Sequence, residues 1–558
     1  SQAAMEAAAD EERPLIPHLL SHVMFYDLTM LPPVRKSKNI CCTEFVECFV
    51  FFGVAKNLVT YLTGDLHESN VDAARNVSTW IGTCFITPVI GAFLADTYWG
   101  RYWTLVIFLS IYTFGMLTLT VSASHPLLMD SLHNSGIRYV AVYLGLYLVA
   151  LGEGGIKPCT SALGADQFDG ADPVERVTKA SFFNWYYFSI NVGSLLSGTV
   201  LVWVQDNVGW GVGFLVPTVL MVFGLVAFVA GRRVYRYKKL VGSPLKRVTQ
   251  VVVAAVRNYN LRLPEDCADL HEVPVTTEQN CKIQHTQQFR FFDKAAIVAT
   301  SPDEKGPAAS KSPWRLCTVS QVEELKMLPR LFPIWASMIL FFTVTAQMSS
   351  TFIEQGAAMD NRVGLFTVPP ASLATFDVLS VMFCIPLYDA VLVPLARRAT
   401  GKDRGLLQMQ RLGVGLALSV AAMVYAALVE ARRLALVRTG TPMSIMWQAP
   451  AFAVLGSAEV FTAIGILEFF YDQTPGGMKS MGTALAQLAV AAGNYLNSAV
   501  LGAVAALTAR GGKPGWIPDD LNEGHLDYFF WLMAALGVVN LDFLHCSIRY
   551  RGNNSTAS

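Results

Sequence analysis

Twelve apolar runs constrain what this chain can fold into more than any other feature, each long enough to cross roughly 30 Å of hydrocarbon as about 20 residues of helix. They fall at about 40–63, 76–97, 102–123, 138–160, 182–205 and 212–231, then at about 328–350, 373–396, 410–429, 446–470, 483–507 and 527–547. Composition agrees: 53% of the 558 residues are hydrophobic, 15% are charged, and mean hydropathy is +0.40. A water-soluble fold would leave much of that surface as exposed apolar patches, whereas a bilayer uses it as its boundary. The fold class expected is an all-α membrane protein with twelve transmembrane helices in two six-helix bundles.

The 6 + 6 grouping divides the chain into a tail (1–38), a first bundle (39–231), a central loop (232–327), a second bundle (328–548) and a second tail (549–558). Two bundles joined by a polar tether can rock about a midplane site. Basic residues set the orientation: Arg35, Lys36 and Lys38 precede the first run, Arg232, Arg233, Arg236, Lys238 and Lys239 follow the sixth, and Arg397, Arg398, Lys402 and Arg404 follow the eighth. All fall on one side, which predicts cytoplasmic termini and a cytoplasmic central loop. Arg432, Arg433 and Arg438, after the ninth run, are the exception. Within the loop, Leu245 to Tyr259 alternates basic residues with an apolar face, the pattern of an interfacial helix or of a soluble loop helix. Ser301 to Ser312 and the first 38 residues read as poorly ordered.

Several function classes drop out. Basic and acidic residues balance at 42 each, so nothing suggests nucleic-acid binding. The ten cysteines lie mainly in apolar runs without C-x-x-C pairs, which indicates neither a metal site nor a disulfide framework. Residues 1–20 lack the basic start and apolar stretch of a cleavable signal peptide. With no nucleophile and base in a defined context, an enzyme is not expected. No cofactor is implied beyond protons as coupling ion, and the partners expected are the bilayer and a small solute.

Ionisable residues inside spanning segments are costly enough to be functional candidates. The first run holds Glu44 and Glu47, three residues apart on one helix face, where two like charges compete and at least one should bind a proton readily. The fourth run ends in LGEGGIKPC, placing Lys157 near paired glycines and Pro158 that permit a break or close packing, with Glu153 one turn earlier. Glu459 sits in the middle of the tenth run. A carboxylate in one bundle and an ammonium in the other could pair on closure and part when either changes protonation.

Between the second and third runs stands GAFLADTYWGRYW, a tight charged turn of Asp96, Gly100 and Arg101. It resembles the signature loop of the major facilitator superfamily, where its role is a conformational latch. GTCFITPVIGAFLADTYWGRYW, GGIKPCTSALGADQF, SFFNWYYFSINVGSLLSGTVLVWVQDNVGWG, WRLCTVSQVEELK and LEFFYDQTP together resemble the plant nitrate and peptide transporter family, part of the proton-dependent oligopeptide transporters, over about residues 40–550. DKAAIV, FPIWAS, PLYD and GHLDYFFWL are most similar to the di- and tripeptide-transporting branch.

Carried over residue by residue, the resemblance puts Glu44 and Glu47 at the acidic positions of the family's E-x-x-E-R proton-coupling motif, with Cys48 at the Arg position. Loss of that cation predicts altered or absent coupling. Lys157 matches the family's fourth-helix Lys and Glu459 the tenth-helix acid with which it can pair; both count as proton-coupling and substrate-binding candidates. In the F-Y-x-x-I-N-x-G motif of the fifth run stand Tyr186, Tyr187, Ile190, Asn191 and Gly193. Asn191 is a plausible partner for a peptide backbone, with Tyr187 beside it, and helix-helix bonding is the competing role. Thr345 stands where a nitrate-transporting relative has His, which argues against that nitrate mode. Gln347 is either a substrate contact or a helix-packing amide. Phe51 and Phe52 replace the tyrosines common in peptide-transporting relatives, which implies a more apolar cavity near the first helix. The polar lead-in LPPVRKSKNICC predicts a short first helix.

The residues together imply a secondary transporter, foremost a proton-coupled symporter of di- and tripeptides. A carrier of nitrate, hormone or another metabolite with little coupling and a substrate-sensing receptor are the competing readings. Glu11-Glu12-Arg13-Pro14-Leu15-Ile16 fits an acidic dileucine-type signal, which points to the vacuolar membrane, with the plasma membrane as the other expectation.

Overall fold

The computed structural model describes residues 32–124, 135–168, 186, 189–233, 235–237, 244–261, 263, 270–272, 285–286, 288–298, 312, 314–364, 366–392, 395, 398, 408–473, 479–509 and 515–555. The dileucine-like segment and residues 301–311 lie outside these. Among the described residues, twelve helices follow the twelve runs: α1 (Pro32–Ala55, continued by Leu58–Gly64), α2 (Asn70–Leu94), α3 (Gly100–Ala123), α4 (Ser135–Ala165), α5 (189–196, then Ser197–Leu201 and Val202–Asn207) and α6 (Trp210–Ala230). The second set is α7 (Val319–Thr345), α8 (Ala374–Leu387), α9 (Gln408–Arg438), α10 (Ala449–Gln473), α11 (Lys479–Thr508) and α12 (Leu526–Ser555). A two-residue hairpin, β1 (Arg362–Val363) with β2 (Phe366–Thr367), lies between α7 and α8.

In the first bundle α3 packs on α4, α2 on α4, α6 on α3 and α1 on α6. In the second, α9 packs on α10 and α12, α7 on α11 and α8 on α10. Each bundle has its own apolar interior, around Trp80, Tyr112 and Phe214 in the first and Phe352, Phe452 and Phe530 in the second. Large apolar side chains such as Phe223 and Phe383 instead point outward, as a lipid-facing surface requires. The protein is a multi-pass α-helical membrane protein.

Several helix boundaries differ from expectation for physical reasons. The polar lead-in does not shorten α1: the helix begins at Pro32, a first-turn position where proline's missing N–H costs nothing. Pro158 and the paired glycines do not break α4. It runs continuously to Ala165, and the glycines serve close packing, because a Cβ at Gly154 would stand 2.8 Å from the Thr87 carbonyl oxygen of α2. α7 begins at Val319, inside the segment assigned to the central loop. Thr318 and Gln321 form a reciprocal cap there that fixes its start.

The loop helix Pro244–Arg257 is not an interfacial helix on its main apolar face. Val251, Ala254 and Ala255 pack with Ala295, Ala296, Cys317, Val322 and Leu325 into a small core of their own. Arg247 clasps Glu324 at the start of α7 through two contacts of 3.0 and 3.1 Å. Arg432, Arg433 and Arg438 lie within the last turns of α9 rather than after it. Arg433 is buried and bound by Glu430 at 2.7 and 2.9 Å, and Arg432 lies over the Trp447 ring.

α2 and α11 join the two bundles at the face remote from the central loop. Asn497 donates to Ser78, Thr79 to Ser498, and Thr83 shares a hydrogen bond with Tyr495, each at 2.8 Å. Beyond them Asn70 reaches the Pro518 and Asp519 carbonyls at 3.1 Å. The bundles are therefore sealed on that face.

Candidate functional site

Glu44 and Glu47 share one face of α1, as their spacing dictates, and both are buried. Cys48, at the position of the expected cation, points its thiol at both carboxyls, with Sγ 3.3 Å from Glu47 Oε2 and 3.9 Å from Glu44 Oε1. A thiol is a weak donor and carries no compensating charge. Tyr186 of the fifth-run motif and Thr160 of α4 also reach Glu44.

α4 supplies the cation. Lys157 sits opposite α1, and its ammonium lies 4.1 Å from the ring centroids of both Phe51 and Phe85. Phe51 is thereby engaged as a cation platform, buried against Trp80, and does not offer an open apolar wall. The ammonium is bound 2.6 Å from Glu153, one turn back on the same helix, and Glu153 is fully buried. Glu153 was visible in sequence as an ionisable residue in a span, yet its role needed the packed structure.

The cross-bundle pair of Lys157 with Glu459 is not made in this conformation, since Glu153 holds the ammonium. Glu459, half-buried on α10, instead faces the α8 carboxyl Asp377, which in turn acts on Lys56 of α1. Lys56 is anchored to the Ser194 carbonyl at 2.8 Å and to its hydroxyl at 2.9 Å. Neither Lys56 nor Asp377 was selected from sequence, although both are charges within apolar runs.

In the Asn191 motif the glycine sets the packing of α5 on α1. A Cβ at Gly193 would stand 2.9 Å from the Phe45 carbonyl oxygen and 3.2 Å from the Cys48 Cβ, so glycine lets α5 lie directly against the acidic face of α1. Asn191 is half-buried beside that contact. The side chain of Tyr187 lies outside the described residues.

Thr345 is buried near the end of α7 and donates to the Phe342 carbonyl at 3.4 Å. Gln347 is fully buried and serves as a packing amide: it donates to Asn497 at 2.6 Å and to the Thr343 carbonyl at 3.1 Å, and accepts from Thr351 at 2.7 Å.

At the proposed latch, Gly100 adopts φ +73°, which glycine alone takes without strain. Arg101 pairs with Asp166 at the end of α4 and reaches the Ala162 carbonyl at 3.4 Å. The side chain of Asp96 is outside the described residues. Within this bundle the turn is a bolt between α3 and α4.

Comparison with known proteins places these features in a family. A sequence model described as "POT family" matches residues 102–517. The chain is 52% identical over 519 residues to Protein NRT1/PTR FAMILY 8.5 of Arabidopsis thaliana, covering 90% of this chain and 86% of that protein. It is 48% identical over 590 residues to Protein NRT1/PTR FAMILY 8.3 of the same plant, covering 99% and 100%. Among solved structures, an auto-inhibited POT family peptide transporter superposes with TM-score 0.68 at 23% identity, covering 92% of this chain and 97% of that one. The POT family transporter PepTSo gives TM-score 0.68 at 22% identity, covering 92% and 98%.

Proposed function

This chain is a member of the POT family of membrane transporters, and on that premise we propose that it carries di- and tripeptides by proton-coupled symport with alternating access. The observation that carries the reading is the assembly of buried Glu44 and Glu47 with half-buried Lys157 on facing helices, in a molecule whose bundles are joined on one face by hydrogen bonds between α2 and α11. Acidic groups in a low-dielectric site bind and release protons as their partners change. Glu459 and Asp377 in the other bundle supply the acidic counterpart for the substrate or for a released Lys157. The solved relatives of this fold include a peptide transporter, which supports the substrate class.

Both termini and the central loop are assigned to the cytoplasm, which makes the sealed face the luminal or external one. The acidic dileucine-like segment supports residence in the vacuolar membrane.

Uptake of labelled dipeptides into proteoliposomes, with and without an inward proton gradient, tests the reading. Gradient-driven accumulation is expected. Uptake that only equilibrates would favour the second reading, a facilitator, for which the replacement of the motif's Arg by Cys48 speaks. A panel including nitrate and plant hormones separates the substrate classes, and binding without flux would point to a receptor.

A further inference from the structure

The acidic site on α1 and α4 contains more carboxyls than cations. Glu44, Glu47 and Glu153 are 4%, 1% and 0% exposed. The groups facing them are Cys41 and Cys48 on α1, Cys84 on α2, Tyr112 on α3, Lys157 on α4 and Tyr186 beside α5. Lys157 is the one cation among these described neighbours. Three ionised carboxylates around one ammonium would bury two uncompensated negative charges. Proteins do not sustain that; the groups take up protons instead.

Glu153 also lies close enough to Glu47 for its charge to act on it.

From this geometry we infer that Glu153 is a third carboxyl of the proton site, that it detains Lys157 through their 2.6 Å pair, and that the cluster rests with two protons shared among Glu44, Glu47 and Glu153. Each proton occupies a carboxyl oxygen and leaves by the same group, so no other reactant is needed. A further proton reaching Glu153 neutralises the carboxylate that holds Lys157 and frees the ammonium to swing towards the other bundle. Proton arrival therefore precedes cross-bundle pairing. The charge count is independent of which solute the protein carries, so failure here and failure of the peptide-symport reading are separable.

Infrared spectra of the purified full-length protein in nanodiscs at neutral pH test it through the carbonyl stretch of protonated carboxyls. Glu153→Gln removes one acid, and Cys48→Arg adds one cation. Each is expected to remove half of the cluster's signal, and the double variant all of it, taken as the difference from wild type. A band unchanged by both single variants would overturn the proposal, as would a double variant that retains the signal of either single. Glu153→Asp keeps the charge and is expected to retain the wild-type band. Should Glu153→Gln fail to fold, Cys48→Arg alone decides, because it replaces only a weak thiol donor and leaves all three carboxyls in place: a full-strength band in it refutes the two-proton count.

Discussion

The side-chain amide of Asn497 on α11 donates a 2.8 Å hydrogen bond to the hydroxyl of Ser78 on α2, while its oxygen accepts a 2.6 Å bond from Gln347 in the turn that follows α7. One buried amide thus ties the two bundles together at the sealed face. Asn497→Ala takes one buried hydrogen bond from each of Ser78 and Gln347, a loss of about 1–3 kcal/mol. In an alternating-access molecule that loss biases the equilibrium towards opening by up to about a hundredfold. Spin labels placed on α2 and α11 should report a new long-distance population, larger than the one produced by Ser78→Ala. An unchanged distance distribution would show that the closed face does not depend on this bond.

The central loop is clamped to α7 by a buried cluster in which Lys326 Nζ lies 2.6 Å from Asp293 and 2.7 Å from Glu323, and donates to the Thr286 carbonyl at 2.9 Å. Lys326→Met removes the cation shared by two buried carboxylates, leaving Glu323 with Thr286 and Asp293 with His285, at a cost of about 3–5 kcal/mol. The loop core should then open locally. Cys317, in that core, reports it: burial pushes its thiol up to about 11, so at pH 8 it is almost wholly protonated and shielded. Opening returns the thiol towards its ordinary range, and maleimide labelling of Cys317 in the variant should accelerate at least about tenfold. Equal labelling rates would mean the clamp is dispensable.

Within α9, Arg433 makes contacts of 2.7 and 2.9 Å to Glu430, 2.7 Å to Asn522 and 3.1 Å to the Leu521 carbonyl. Arg433→Met leaves Glu430 buried without a cation and should destabilise the second bundle by about 3–5 kcal/mol. The double change Glu430→Gln, Arg433→Met removes both charges and should recover most of the thermal stability. Melting of the detergent-solubilised protein followed by size-exclusion chromatography measures both. A double variant as unstable as the single would refute the charge explanation.

At Gly193 any side chain meets the backbone of α1. Gly193→Ala should cost about 1–3 kcal/mol through overpacking, and Gly193→Val more, because α5 must move off the acidic face. Transport by well-folded protein should fall in the same order. Full activity of the valine variant would mean that α5 need not touch α1.

Much of the fold was legible because spanning a bilayer is a demand on consecutive residues. The runs ending near Gly231 and starting near 328 marked the helices on either side of the central loop, although α7 begins earlier, at Val319, and Glu44 and Glu47 fell on one face by helical spacing alone. The latch turn was legible too, because Gly100 precedes Arg101 at a position requiring positive φ. Less was legible where a residue's meaning depends on a distant neighbour. The loop helix showed an apolar face in sequence, but whether lipid or protein covers such a face is not a property of the helix. Arg433 looked like a loop charge because the apolar run stops before it, while its helix continues, and because Asn522 is brought to it only by packing.

The sequence by itself determined that this chain crosses a membrane many times, carries acids and a lysine within its spans, and lacks a cation after Glu47. Hydropathy, helical spacing and residue identity are local, and no packing can change them. Only the tertiary structure decided which charge takes which partner: Lys157 is held by Glu153, not by Glu459, and Gln347 is spent on Asn497. Buried charges choose among partners through differences of a few ångströms, and those distances are set by how helices from remote parts of the chain rotate and dock.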